Sequence, residues 1–242
     1  MNARDVVAAS FWSAKKCEPT ARRAISLARR STLIASVRAQ AAWKRARVTL
    51  EIDPDAWIGP DVRVRVDPDS TSRLRIGADA VLDGRCRINL RGGEILIAPR
   101  ATIRERVLLN VRGRLVIGED SIVSHASVIH CAEQVILEDR VGVAEFVSIA
   151  DSLHFHTNDG VRVFDNVRTA PVVVGADTWL CPKVTVTSGV RIGARCVIAS
   201  NVVVTKDVAD DCSLIGASTR VLERGPARSD VPSGAHSRDL AS

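Results

Sequence analysis

The stretch of sequence that decides the fold runs from Val174 to Val208 and reads VGADTWLCPKVTVTSGVRIGARCVIASNVVVTKDV. An aliphatic residue returns at every sixth position, and this column is Val174, Leu180, Val186, Ile192, Ile198 and Val204. A small or β-branched residue follows each of them four positions later: Thr178, Val184, Val190, Cys196, Val202 and Val208. Two columns filled over consecutive hexads indicate an internal repeat.

A period of six fits neither an α-helix, with a period of about 3.6, nor a plain strand, with a period of about 2. It fits a short strand followed by a corner, and three such sides close a triangular coil. Coils of this kind stack about 4.8 Å apart through parallel strand pairing. The sequence therefore predicts an all-β solenoid of hexapeptide repeats, with the aliphatic column inside.

The same period continues upstream with a short recurrent insertion. Successive coils open at Ile76, Ile97, Ile117 and Leu137, and weaker hexads begin at Ile52. We predict seven coils across residues 52–209, with the inserted residues forming a line of bulged turns at one corner.

One coil is much longer than the others. Leu137, Val143 and Ile149 keep the period, but the next aliphatic residue in register is Val174. Residues 151–170 are therefore predicted to leave the solenoid as a loop. Long loops on a compact scaffold often carry function.

Charge divides the chain into unequal parts. Residues 1–48 contain 11 Lys and Arg against 2 Asp and Glu, a net charge of +9, so the rest carries about −3 within a total of +6. The repeat region is thus not a basic nucleic-acid surface, and we expect no nucleic-acid partner. Three parts follow: a basic amphipathic helical segment at 1–48, a β-helix domain at 49–225, and a disordered tail at 226–242.

Residues 19–47 are predicted to form a helix with basic residues on one side and a stripe of Leu27, Ile34 and Ala41 on another. Such a helix is predicted to contact an anionic membrane surface. The alternative is a cap packed on the first coil, which solenoids need. Six cysteines without a metal-binding spacing, and no leader at the N-terminus, favour the cytoplasm, with any membrane association at its cytoplasmic face.

Histidine is the informative residue type for chemistry. Of five histidines, His154 and His156 fall within the predicted loop. Histidine titrates near neutral pH and is a common general base. The two loop histidines are therefore the candidate catalytic bases.

Residues 117–224 resemble the hexapeptide-repeat O-acetyltransferases, the group that includes maltose, galactoside and surface-polysaccharide acetyltransferases. The segments that carry this resemblance are VSIADSLH (147–154), PVVVGADTW (171–179) and VVTKDV (203–208). It implies a left-handed parallel β-helix, acetyl-CoA as acyl donor without a metal, and a homotrimer whose sites lie between neighbouring prisms. The implied reaction is direct transfer to a hydroxyl of a sugar or glycan acceptor.

The resemblance also assigns residues to roles. His154 matches the family's catalytic base, with His156 as the second candidate, and Asp151 either orients the imidazole or is a turn residue. The implied CoA-binding residues are Trp179, Ser200, Thr205, Lys206, Arg220 and Arg224. The chain departs from the family pattern at Trp179-Leu180-Cys181, and it lacks a proline in residues 216–220.

Three alternatives remain open. An N-acetyltransferase of nucleotide amino sugars, or a serine acetyltransferase, has the same repeat. A metal enzyme of the γ-carbonic-anhydrase kind is indicated by His125 and His130, but the region that would supply its third histidine offers Asn89 and Asn110. The third alternative is a non-catalytic scaffold with a degenerate CoA site.

Overall fold

The computed structural model describes residues 19–155 and 166–216. These residues form one helix, α1 (Pro19–Trp43), followed by short strands. The strands are β1 (Arg47–Ile52), β2 (Trp57–Ile58), β3 (Arg63–Val66), β4 (Thr71–Ile76), β5 (Val81–Leu82), β6 (Arg87–Leu90), β7 (Glu94–Ile97), β8 (Thr102–Ile103), β9 (Leu108–Val111), β10 (Arg114–Ile117), β11 (Ile122–Val123), β12 (Val128–Cys131), β13 (Gln134–Leu137), β14 (Gly142–Val143), β15 (Ser148–Ala150), β16 (Ser152–His154), β17 (Val167–Thr169), β18 (Val172–Val174), β19 (Trp179–Leu180), β20 (Thr185–Val186), β21 (Arg191–Ile192), β22 (Val197–Ile198), β23 (Val203–Val204) and β24 (Ser213–Leu214).

Three parallel sheets form the sides of a triangular prism. Sheet A has the order β1-β4-β7-β10-β13-β18-β21, sheet B the order β2-β5-β8-β11-β14-β19-β22-β24, and sheet C the order β3-β6-β9-β12-β15-β20-β23. Each turn contributes one strand to each sheet, and β24 begins a further turn. The predicted solenoid of about seven coils is confirmed, and it is a left-handed β-helix.

The predicted aliphatic column fills the prism. Val174, Leu180, Val186, Ile192 and Ile198 are each 0% exposed and Val204 is 1% exposed. Their register is continuous, because Val174 pairs with Ile192 and Leu180 pairs with Ile198 on neighbouring rungs. Burial of these side chains is the main stabilising contribution to the coil.

The inserted residues of the upstream coils do not form bulged turns, and that prediction was wrong. They lengthen the upstream strands of sheets A and C to four residues, as in β6 and β7, or six, as in β4, against two residues in sheet B. The lengthened strands keep the alternation of period two, so they add inward side chains such as Leu90 and Ile95, both fully buried. The extra residues therefore enlarge the core.

Helix α1 closes the open end of the prism. Its buried apolar side chains are Leu33, Val37 and Ala41, so the predicted stripe was right only for Ala41, and Leu27 is 37% exposed. Gln40 Nε2 donates to the carbonyl of Val64 at 2.9 Å, which satisfies a backbone group of β3, the edge strand of sheet C. The apolar face of the helix is thus occupied by the first coil, as the cap alternative expects, and membrane contact stays a prediction.

No helix in the described part of the chain is both long and apolar enough to cross a bilayer.

A ladder of alternating charges runs along the corner between sheets A and B. The residues of this A–B corner that have positive φ, between 55° and 59°, are Asp79, Arg100, Asp120, Arg140, Asp177, Arg195 and Asp211. Arg100 Nε lies 2.8 Å from Asp120 Oδ1, Arg140 Nε lies 2.8 Å from Asp177 Oδ1, and Arg195 Nε lies 2.6 Å from Asp211 Oδ1. Opposite charges on successive coils favour the observed register.

The charge ladder predicts that the free energy of unfolding depends on pH. Hydrogen bonds from Arg100 lower the pKa of the Asp120 carboxyl below its ordinary value. A carboxyl whose pKa is lower in the folded state stabilises the fold at pH values above its unfolded-state pKa of about 3.9. This stabilisation is lost as the pH falls through the folded-state pKa. We expect Asp120→Asn to lower the free energy of unfolding at pH 7 by less than about 1 kcal/mol, because the pair is exposed.

Urea unfolding at pH 7 and at pH 3 measures this effect. The difference between wild type and Asp120→Asn should shrink at pH 3. The control Asp79→Asn should match wild type at both pH values, because Arg100 pairs with Asp120 and Glu119 and Asp79 has no ion-pair partner among the described residues. A difference that is the same at both pH values would contradict the role of the ladder.

Candidate active site

Residues 151–155 and 166–170 lie between β15 of sheet C and β18 of sheet A, at the corner that these sheets share, the C–A corner. They include an antiparallel ribbon of β16 and β17, in which Ser152 pairs with Thr169 and His154 pairs with Val167. The guanidinium of Arg168 lies over the ring of Phe155, 4.1 Å from its centroid. This cation–π contact reinforces the end of the ribbon, together with the hydrogen bond from the backbone N–H of Phe155 to the carbonyl of Asn166 at 3.2 Å.

Asp151 anchors the ribbon to the preceding coil. Its carboxylate is 0% exposed and accepts hydrogen bonds from the backbone N–H groups of Ala132, Glu133 and Gln134 at 2.7, 2.7 and 2.8 Å. Both carboxylate oxygens are therefore engaged by the turn between β12 and β13. Of the two roles left open for Asp151, the geometry supports that of a turn residue.

Ser188 is a positioning residue that sequence reasoning missed. Its hydroxyl donates to the carbonyl of Asp151 at 2.8 Å and lies 3.4 Å from the carbonyl of Ala170. The backbone N–H of Ala170 also donates to the carbonyl of Asp151 at 2.9 Å. Both ends of the ribbon are thus held together against the next coil, and no sequence signal separated Ser188 from an ordinary corner serine.

His154 lies at the end of β16, on the face of the ribbon that it shares with Ser152, and its side chain is exposed. The exposed imidazole is reachable by a substrate. The second candidate base, His156, lies outside the described residues, as do the predicted CoA-binding residues Arg220 and Arg224.

The remaining predicted CoA-binding residues occupy two different edges of the prism. Thr205 and Lys206 are exposed and directly follow β23 at the C–A corner, two coils beyond the start of the ribbon. Ser200 is exposed at the corner between sheets B and C, the B–C corner. The structure therefore brings Thr205 and Lys206, but not Ser200, to the corner that carries His154.

Trp179 lies on the outer face of sheet B, away from the C–A corner. Its indole packs on Gly142 of the neighbouring strand, where an added Cβ would come within 2.2 Å of indole Cε3. Glycine is therefore required at position 142 for the ring to lie flat on the sheet. Trp179 is neither a core residue nor, within one chain, a neighbour of the sheet edge from which the ribbon leaves.

The other two described histidines are not on the ribbon, although His130 lies beside its base, where its carbonyl accepts a hydrogen bond from the backbone N–H of Asp151 at 3.3 Å. Asn110 Nδ2 lies 3.1 Å from His130 Nδ1 on the outer face of sheet C, and His125 is exposed at the B–C corner. Within residues 19–155 and 166–216, no group of three or more His, Cys, Asp or Glu side chains is arranged to hold a metal ion.

Two of the buried cysteines, Cys86 and Cys131, are poor nucleophiles. Burial and, to a smaller extent, the charge of Asp151 raise the pKa of the Cys131 thiol to about 12. Burial likewise raises the pKa of the Cys86 thiol to about 12. Only the thiolate is nucleophilic, so these two thiols are inert at neutral pH.

Residues 171–206 match the family model described as "Bacterial transferase hexapeptide (six repeats)". The match covers the regular coils that follow the ribbon, where the hexads have no insertions. Over these residues the chain is similar to the bacterial hexapeptide-repeat transferases. A probable acetyltransferase of Mycobacterium tuberculosis is 27% identical over 133 residues, which are 54% of this chain and 43% of that protein. The match thus spans less than half the length of that relative.

One solved acetyltransferase structure shares the fold, and a second matches with a lower TM-score. The polysialic acid O-acetyltransferase OatWY is 16% identical with a TM-score of 0.54, and the match covers 77% of this chain and 93% of that chain. A maltose O-acetyltransferase from Clostridium difficile 630 is 21% identical with a TM-score of 0.38, over 51% of this chain and 66% of that chain.

The anchor at Asp151 yields a prediction. In Asp151→Asn, an amide NH₂ replaces one acceptor oxygen and leaves at least one buried N–H of residues 132–134 without a partner. Such a loss costs about 1–3 kcal/mol, and we expect the free energy of unfolding in urea to fall by that amount. The matched control is Asp207→Asn, because Asp207 is exposed and accepts one backbone N–H, that of Arg191 at 2.8 Å. Equal stability of the two variants would show that the buried carboxylate is not an anchor.

Proposed function

We propose that this chain transfers an acetyl group from acetyl-CoA to a hydroxyl of a sugar or glycan. The observation that carries the proposal is the ribbon that interrupts the solenoid at Asp151 and presents an exposed histidine, His154, on an anchored base. A rigid scaffold that presents a single basic side chain is what a proton-transfer step requires.

His154 acts as the general base. Its neutral imidazole takes the proton of the acceptor hydroxyl as that oxygen attacks the thioester carbonyl carbon. A tetrahedral intermediate forms, the carbon–sulfur bond breaks, and the CoA thiolate leaves and takes up the proton. The transfer is direct, and the raised pKa values of Cys86 and Cys131 argue against an acyl-cysteine at either buried thiol.

Thr205 and Lys206 hold CoA in this proposal. They are exposed at the same C–A corner as the ribbon, and two rungs of about 4.8 Å separate their strand β23 from β15, which leads into the ribbon. The Lys206 ammonium pairs with a phosphate group, and the Thr205 hydroxyl supplies a hydrogen bond. Arg220 and Arg224 remain predicted contacts of the nucleotide.

The separation of site residues supports a homotrimer with sites shared between protomers. Trp179 on sheet B and Ser200 at the B–C corner lie on different parts of the prism from His154. They contribute to the same site only if sheet B of one protomer faces the ribbon of another. Light scattering should therefore give three times the mass of the chain, and a monomer would remove the basis for Trp179 and Ser200 as site residues.

A thiol-release assay with acetyl-CoA tests the function. The acceptor panel contains neutral and charged sugars, glycan oligomers, nucleotide amino sugars and serine. We expect thiol release with acceptors that offer only hydroxyl groups. Release with amino-sugar acceptors alone would assign N-acetylation instead, and no release with any acceptor would favour the scaffold alternative.

A further inference from the structure

Several arginines in the described coils pair with carboxylates and others do not; five of the unpaired ones cluster on one side, whereas Arg47, Arg112 and Arg191 are scattered over sheet A and the C–A corner. On sheet A, Arg73 and Arg114 both pair with Glu94, at 3.6 and 3.5 Å, and the A–B corner arginines pair with aspartates. On sheet C and the B–C corner, five exposed arginines have no carboxylate oxygen within 4.0 Å among the described residues. They are Arg63, Arg65, Arg85, Arg87 and Arg106, and we call them the basic face.

The basic face is compact. Arg63 pairs in register with Arg87 on neighbouring rungs of sheet C, and Arg85 and Arg106 occupy the same position of the B–C corner in consecutive coils. With about 4.8 Å between rungs, the five guanidiniums are distributed over three coils. Three carboxylates, Asp61, Asp83 and Glu105, lie at the B–C corner of the same coils. Arg104 pairs with Asp83 at 3.4 Å, so the face keeps an excess of positive charge.

The basic face points along sheet C toward the candidate active site. The outward residues of sheet C form two columns on successive rungs. The column in register with Arg87 continues with Leu108, Val128 and Ser148. The column in register with Asn89 continues with Asn110, His130 and Ala150, and Asp151 follows Ala150 at the base of the ribbon. Three rungs separate β6 from β15, a distance of about 14 Å. The intervening amide and imidazole groups are hydrogen-bonding partners for sugar hydroxyls.

We infer that the basic face binds the acceptor as an anionic glycan, a chain of sugars that carries carboxylate, sulfate or phosphate groups, and leads one of its hydroxyls to His154. This inference rests on the proposed function. The arginines of the basic face repel one another because no carboxylate in the described part of the chain pairs with them. An anionic ligand bound there reduces this repulsion. The guanidinium fork also matches carboxylate and phosphate geometry.

The surroundings of the basic face favour a glycan over a membrane surface. Proteins that lie on membranes combine basic groups with inserted apolar side chains. The exposed large apolar side chains of the described residues lie elsewhere, on α1 (Ile25, Leu27 and Trp43), on the ribbon, and in the coils from Phe146 onward. A groove of about 590 Å³ between α1 and the first coil, with Arg29, Arg63 and Arg65 in its lining, extends the basic face instead.

Binding of polygalacturonate oligomers to the full chain tests the inference, with neutral dextran as the uncharged probe and dextran sulfate as the sulfated one. Binding is measured without acetyl-CoA by fluorescence anisotropy, at two salt concentrations. The variant combines Arg63→Gln, Arg85→Gln and Arg87→Gln. Its matched control combines Arg47→Gln, Arg112→Gln and Arg191→Gln, which removes the same charge from exposed positions on sheet A and the C–A corner.

We expect the first variant to bind polygalacturonate at least about ten-fold more weakly, with a smaller salt dependence, because fewer counterions are released. The control should bind as wild type does, and neutral dextran should not bind. Equal loss in the variant and the control would overturn the inference. Tighter binding of an oligonucleotide or of vesicles with phosphatidylserine, dependent on the same arginines, would overturn it in favour of those partners. Because no acyl transfer is measured, failure here is separate from failure of the thiol-release assay.

Discussion

Replacing Ile192 by Asp is expected to prevent folding of the C-terminal coils. Ile192 is 0% exposed, and its strand β21 pairs with β18, so the new carboxylate would lie inside the prism without a partner. A buried unpaired charge costs several kcal/mol, which is a large part of the total stability of about 5–15 kcal/mol typical of a domain. Each coil of a solenoid is stabilised by its neighbours, so the damage should spread to adjacent coils.

The measurements are soluble yield, far-UV circular dichroism and limited proteolysis. The matched control is Val197→Asp, because Val197 lies in the next strand, β22, but faces outward and is 45% exposed. We expect the control to fold. A cooperative unfolding curve for Ile192→Asp that overlays wild type would show that this column does not form the core.

Replacing His154 by Ala is expected to lower kcat for acyl transfer by about 10²–10⁴-fold, the usual contribution of a general base. The affinity for CoA, measured by calorimetry, should change little, because the imidazole acts on the acceptor proton. Loss of kcat without loss of donor binding is the signature of an interaction made in the transition state.

Two other histidines serve as comparisons. His125 is exposed at the B–C corner, so His125→Ala removes an exposed imidazole away from the ribbon and should keep full kcat. His156→Ala should have a much smaller effect than His154→Ala. A larger loss of kcat in His156→Ala than in His154→Ala would assign the base to His156. Full activity of both variants would contradict the proposed mechanism.

The sequence predicted parts of this molecule unequally well. Period six was enough to place Ile192 and Ile198 inside and to locate the interruption at Asp151, because inward positions of a solenoid tolerate only apolar side chains. The helix stripe was less predictable: Leu27 was expected on the apolar face, but contact with the first coil selects Leu33 and Val37 instead. Which face of a helix is buried depends on the surface that it meets.

The residues of the candidate site were also predicted only in part from the sequence. The motif at residues 147–154 singled out Asp151 and His154 as a pair, yet Asp151 is turned inward by three backbone N–H groups and His154 is carried outward on the ribbon. Residues two or three positions apart can face opposite environments, and a motif does not state which hydrogen-bond donors the preceding coil will offer.

By itself, the sequence determined the solenoid, its number of coils and the position of the loop, because these depend on local periodicity that repeats along the chain. The tertiary structure alone decided that Ser188 fastens both ends of the ribbon, that Trp179 lies on Gly142, and that the arginines of sheet C lack carboxylate partners. These relations join residues one or more coils apart. These contacts form only when the coils stack. The number of residues between the two partners changes with each insertion, so a fixed sequence spacing does not predict them.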